Sequence, residues 1–190
     1  MDFEKIVKNL NERGFSACFC ESKGEALKKA LSLIEENSSV SWGGSMSIIE
    51  CGLLEKVKEG NFKVIDRETA KSSEERVELM KKALFADYFL CSFNALSEDG
   101  IAVNIDGNGN RVAAITFGPK NVIAVVGKNK ICKSEEDALK RAKTVAAPKN
   151  VVRFGKDESE ADSICNIIQI LKRGGNGRIK VILCGEELGF

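Results

Sequence analysis

Two short stretches of this 190-residue chain hold more glycine and polar side chains than a turn needs. The first is VSWGGSMSIIE, residues 40–50, where an apolar run passes through Gly43, Gly44 and Ser45 into a segment of helical character. Glycines let backbone N–H groups come close to a ligand, and a helix start favours negative charge. Gly43, Gly44 and Ser45 are therefore candidate contacts for a small anion. Ser47 and Glu50 have the spacing of a capping box, and a helix cap is the plainer reading of Ser47. The Gly-Lys-Ser/Thr ending of a P-loop is missing. The second stretch is NIDGNGNR, residues 104–111. Asn104, Asn108 and Asn110 offer donors and acceptors, Asp106 a base and Arg111 a fixed cation. A network of Asx turns bonded to itself is the competing explanation. An EF-hand reading fails for want of the terminal bidentate Glu. Between the two lies CSFNALSEDG (91–100), whose Asn94, Glu98 and Asp99 can face the same cleft. Lys130 flanks the next strand and can reach a ligand anion, although solvation is the commoner fate of a lysine.

Absences narrow the chemistry. The sequence has no histidine, which removes Ser-His-Asp and Cys-His catalysis and imidazole proton shuttles. Ser45 then has no base to activate it as a nucleophile. Seven cysteines, irregularly spaced and without a C-x-x-C pair, read as reduced and mostly buried thiols. No metal site and no bound cofactor is expected. The 29 basic and 28 acidic residues leave a net charge of +1, with no electrostatic case for nucleic acid or an anionic membrane. No apolar run approaches the roughly 18–20 residues that span a bilayer. The first residues read as an amphipathic helix rather than a signal peptide. A cytoplasmic protein is expected.

The elements that must hold these loops alternate from end to end. Phe3, Ile6, Val7 and Leu10 mark one face of a first helix. Capping pairs at Ser22/Glu25, Ser72/Glu75 and Ser134/Asp137 open three more helices, the second expected to be buried through Val77, Met80 and Leu84. FSACFC, VSW, FKVID, YFLCS, GIAVNID and NVIAVVG read as strands, YFLCS and NVIAVVG as ones covered on both faces. ICNIIQILK and RIKVILCG, joined by RGGNG, read as a C-terminal β-hairpin. Residues 111–118, RVAAITFG, fit either a strand or a short helix. The pattern implies one α/β domain over residues 1–190, a mostly parallel sheet with helices on both faces. Ligands in such sheets bind beyond the carboxyl ends of the strands.

Several segments taken together resemble one family. SWGGSMSIIECGLLEKV, IDRE, FNALSEDGIAVNIDGNGNRVAAITFGPKNVIAVVGKNKI, AAPKN and ICN…GRIKVILCGEELGF are similar to the LUD-domain, or lactate-utilization (LutC/YkgG-like), proteins. The resemblance covers nearly the whole chain and implies a fold of the NagB/RpiA/CoA-transferase type. It implies an anion-holding role for Gly43, Gly44 and Ser45, and proton chemistry at Asp99 or Asp106 without choosing between them. It also favours a short helix at 111–117. Family members act in oxidation of L-lactate to pyruvate beside partner subunits that carry iron–sulfur clusters. This chain departs from a redox subunit, since its cysteines are not spaced for a cluster, and the stretch FGKDESEADSICN keeps only Cys165. The expectation is a protein binding a small anionic metabolite. Its alternatives are an isomerase or CoA-transferase-like enzyme using a cleft carboxylate, and a non-catalytic subunit docking an iron–sulfur partner. A homo-oligomer is compatible with all three.

Overall fold

A computed structural model describes residues 1–190. In chain order the elements are α1 (Phe3–Glu12), β1 (Ser16–Cys20), α2 (Lys23–Ser32), β2 (Ser39–Trp42), α3 (Met46–Glu50), α4 (Leu53–Glu59) and β3 (Lys63–Ile65). There follow α5 (Ser73–Ala83), β4 (Tyr88–Cys91), β5 (Ala95–Ser97), β6 (Ala102–Asp106), α6 (Asn110–Thr116), β7 (Asn121–Gly127) and β8 (Ile131–Cys132). The chain closes through α7 (Glu135–Arg141), α8 (Ala147–Arg153), β9 (Ile167–Leu171) and β10 (Ile179–Cys184).

Six parallel strands, in the order β1-β10-β7-β4-β2-β3, form the main sheet. Its central strands β4 and β7 are buried along nearly their whole length, with Phe89–Cys91 and Val122–Val126 apolar throughout, because both faces are covered. Alternate residues separate cleanly. Phe89, Val122 and Val181 pack under α1, α5 and α6 through Ile6, Leu10, Ala83 and Ile115. Their neighbours Leu90, Ile123 and Ile182 pack under α2, α3 and α4 through Ala30, Ile48 and Leu53. Each fully buried side chain of this size contributes about 1.5–3 kcal/mol, so the two faces hold the strand ends rigidly. A second, smaller sheet in the order β8-β5-β6-β9 leans against α7, with Ala95, Val103 and Ile105 meeting Ala138 and Ala142.

Capping is local chemistry, and it follows the sequence. The hydroxyls of Ser22, Ser72 and Ser134 accept the backbone N–H of Glu25, Glu75 and Asp137. Residues 110–116 form the short helix rather than a strand. The single α/β domain with a mostly parallel sheet and helices on both faces is the architecture found.

Two expectations need correction. The C-terminal strands are not a hairpin: β9 pairs antiparallel with β6, while β10 inserts between β1 and β7. The intervening glycine turn docks instead on the end of α1, where Gly174 N–H donates to Arg13 O and Gly177 N–H to Gly14 O. A Cβ on Gly174 would lie 2.5 Å from the Phe15 backbone, so the turn can sit there only as glycine. The α5 helix is also less buried than its pattern suggests; Val77 is 43% exposed, and Ala83 is the buried contact.

The run from α7 to α8 is interrupted by one wide π turn, Ala142–Ala146. Pro148 stands at the start of α8 and has no N–H to continue the α ladder. The wide turn immediately before it absorbs that break.

Candidate functional site

Parallel strands end together, and the loops leaving β2, β4 and β7 open one cleft of about 1000 Å3. Gly43, Gly44 and Ser45 follow β2, Ser92–Asn94 follow β4, and Lys130 follows β7. The loop after β6 supplies Asp106, Asn108, Asn110 and Arg111 from the opposite side. Thus the two stretches singled out by sequence do face each other. Asp99 does not join them: it is exposed elsewhere, its carbonyl accepting from Arg13 Nε at 2.6 Å. Glu98 is likewise tied to α1, its carbonyl accepting from Asn9 Nδ2 at 2.9 Å. Neither can do cleft chemistry from there.

The polar loop is largely bonded to itself. Asp106 accepts the backbone N–H groups of Arg111 at 2.9 Å, Val112 at 3.1 Å and Asn108 at 3.2 Å. Its carboxylate therefore caps α6, whose N-cap residue Gly109 has no side chain to do so. Arg111 donates to Ser92 O (3.2 Å), Asn104 Oδ1 (3.0 Å), Asn94 Oδ1 (2.8 Å) and Ile105 O (2.5 Å). Burial draws its guanidinium below the ordinary value, and nearby Asp106 offsets part of that. Asn104 is fully buried between Arg111 and Gln169 and does not line the cleft. Arg111, Asn94 and Asn104 thus act as a hub joining the loop ends after β4 and β6.

The glycine stretch presents more open chemistry. Gly43 lies so close to Arg111 that an added Cβ would meet its Cδ at 2.8 Å. At Gly44 the same test meets Arg67 Nη2 at 3.1 Å and Arg153 Nη2 at 3.4 Å. Two guanidinium edges, from distant parts of the chain, therefore converge over one glycine. Ser45 is 8% exposed, and its Oγ has no hydrogen-bond partner. It occupies the N-cap of α3 without capping it. The capping-box assignment for Ser47 and Glu50 fails. Ser47 Oγ donates to Leu188 O and accepts from Lys130 Nζ, while the Glu50 carboxylate accepts Gly189 N–H.

Arg153 makes no ion pair, and Arg67 shares its one carboxylate partner, Glu68, with Arg76. The side chain of Asp66 accepts Glu68 N–H, fixing a single 3₁₀ turn (Arg67–Thr69) that starts at Arg67. Glu68 forms a two-pronged pair with Arg76, both bonds 2.8 Å, which lowers its carboxyl to about 2. Glu68 also accepts from Arg67 Nε at 3.2 Å. The other bonds these arginines make run to thioethers: Arg67 Nη1 to Met80 Sδ at 3.8 Å and Arg153 Nη1 to Met46 Sδ at 3.7 Å. Sulfur is a weak acceptor. Burial, and then the nearby Arg67 charge, pull Arg153 below its ordinary value.

Lys130 is the largest departure from expectation. It is 3% exposed, donating to Ser47 Oγ (2.8 Å), Ser92 Oγ (3.1 Å) and Phe93 O (3.2 Å). Burial, with Arg141 and Arg111 nearby, lowers it to about 7. All seven cysteines are free thiols, and burial pushes Cys91, beneath the cleft, up to about 12. No three His, Cys, Asp or Glu side chains are grouped to hold a metal ion.

A model of the LUD domain matches residues 3–184. The chain belongs to the LUD-domain family. At the level of that family it is a protein of the lactate-utilization type. Among solved structures, this LUD domain is similar to a DUF162 family protein from Deinococcus radiodurans, with a TM-score of 0.59 and 16% identity. That match covers 96% of this chain and 95% of the other, and it supports the fold. A weaker likeness, TM-score 0.41 and 16% identity, is to eIF2B delta from Chaetomium thermophilum, over 73% of this chain and 57% of that one. A comparison with curated proteins gave no match. No helix of the LUD domain is long and apolar enough to cross a membrane. Its sequence pointed to the Gly43–Ser45 wall but not to Arg67, Arg153 or the burial of Lys130. Arg67 lies within IDRE, a segment already carried by the family resemblance; Arg153 and Lys130 gave no local signal.

Proposed function

We propose that this LUD domain binds a small anionic metabolite over Gly44 and Ser45, in a role accessory to oxidation of an organic acid such as L-lactate to pyruvate. The observation that carries the reading is the convergence of the Nη2 edges of Arg67 and Arg153 over Gly44, with the enclosed, unpartnered Ser45 hydroxyl at the next residue of the same cleft wall. An enclosed hydroxyl without a partner costs about 1–3 kcal/mol, and two guanidinium groups side by side repel. One carboxylate or phosphate answers both, accepting from the hydroxyl and taking the free arginine edges. A carboxylate-driven isomerase fits less well, because Asp106 commits its oxygens to three backbone donors.

Calorimetric titration of the full chain with inorganic phosphate, L-lactate and pyruvate tests this. Saturable binding of at least one is expected. Ser45→Ala should weaken it by roughly 5–30-fold, the equivalent of about 1–2 kcal/mol for one hydrogen bond to a charged group. The double change Arg67→Met, Arg153→Met should abolish it. Flat titrations for all three anions, or affinity untouched by these substitutions, would overturn the reading.

A further inference from the structure

The anion site leaves one group of the cleft unused. Lys130 reaches the floor from beyond β7 and meets acceptors from two other segments, Ser47 within α3 and Ser92–Phe93 after β4. It forms no ion pair. The charged groups acting on it are the guanidinium groups of Arg141 and Arg111, with Glu50 the one opposing carboxylate. Glu50 accepts Gly189 N–H, and Arg141 is held by the carbonyls of Asn129 and Asn94. A buried lysine kept for structure is ordinarily paired with an acid. Here it is surrounded by hydroxyls and repelled by two cations, an environment that favours the free amine. Ser47 has committed its proton to Leu188 O, so it can only accept from Nζ. The Ser92 hydroxyl can turn to accept from an ammonium or to donate to an amine lone pair. Both protonation states are therefore accommodated at one spot lining the cleft.

We propose that Lys130 is a nucleophilic amine that condenses with the carbonyl of an anionic oxo acid bound in the cleft. This rests on the anion-binding reading above and names its substrate class. The nitrogen lone pair adds to the carbonyl carbon, forming the C–N bond. Nitrogen then gives up its protons as the carbonyl oxygen leaves as water. One amine and one carbonyl become one imine and one water, with nothing oxidised or reduced. Protonation of that imine places an electron sink next to the bonds of the bound acid.

Trapping with cyanoborohydride tests the assignment. The full chain is incubated separately with pyruvate, glyoxylate, 2-oxoglutarate and acetoacetate, then digested and mapped by mass spectrometry. A reduced adduct is expected on Lys130 with at least one of them, and none with L-lactate, which has no carbonyl. Its formation should rise between pH 6 and 8, level off, and slow in the presence of inorganic phosphate and in Ser45→Ala. Surface lysines, with amines free only near pH 10, would show no such profile. Absence of a Lys130 adduct with all four acids, while calorimetry still detects anion binding, overturns this assignment and leaves the anion site standing. If binding is also absent, both fail.

Discussion

Replacing Lys130 by methionine should make the protein more stable at neutral pH and less stable in alkali. In the unfolded chain the amine holds its proton to about 10.5, whereas in the fold it does so only to about 7. Between those values the unfolded state binds more protons, so the lysine's contribution to stability improves as pH rises. Below pH 7 both states are protonated and the penalty is complete. A difference of roughly 3.5 units corresponds to about 5 kcal/mol. Methionine preserves the apolar stem but leaves Ser92 Oγ and Phe93 O without the amine, a loss of about 2 kcal/mol. The net gain at pH 6.5 is thus about 3 kcal/mol, read as a Tm rise of roughly 6–12 °C for a chain of this size. Near pH 9 the two effects should cancel, and above it the variant should melt first. Thermal melts of both proteins across this pH range measure the difference directly, because every other titrating group is common to both. A variant less stable than its parent at pH 6.5, or a gap that does not change with pH, would refute the reasoning.

Asp106→Asn should destabilise by about 1–2 kcal/mol in urea denaturation, the usual size of a lost N-cap, while anion affinity changes little. Arg111→Met removes the donor from four acceptors at the loop junction, of which Asn94 Oδ1 keeps the Ile105 N–H, and should cost about 3–5 kcal/mol, visible as a loss of soluble protein or a much lower Tm. The adjacent glycines should separate. Gly43→Ala drives a methyl into the Arg111 stem at 2.8 Å and should cost about 1–3 kcal/mol of stability. Gly44→Ala meets only the far ends of two arginines, so melting should hold while calorimetric anion affinity falls.

Features set within a few residues were readable in advance. Serine caps at 22, 72 and 134 depend on one side chain and one N–H three residues on, and each formed. Strands β4 and β7 were readable because burial on both faces forces an apolar run. Pairing of β9 and β10 was not, since two apolar strands across a glycine turn look alike whether they meet or part. The decision lay in the docking of Gly174 on Arg13, far away in sequence. The site divides similarly. Glycines beyond any turn's need exposed the Gly43–Gly44 approach, but their neighbours Arg67 and Arg153 arrive by tertiary closure. The composition of 104–111 suits a ligand contact and an internal arginine hub equally well. A lone lysine reads as solvated until the fold removes the water.

The π turn at Ala142–Ala146 gives the arginine over Gly44 an unusual dependency. Each α-helical residue advances the chain by about 100° of rotation and 1.5 Å of rise. Removing one residue there, so that α7 ran smoothly toward α8, would swing Arg153 by about that angle and turn its guanidinium off the cleft. The residue's identity would be untouched, yet the cation would be lost. In this chain the placement of one of the two guanidinium groups over Gly44 is therefore recorded in a helix's residue count as much as in the letter at one position.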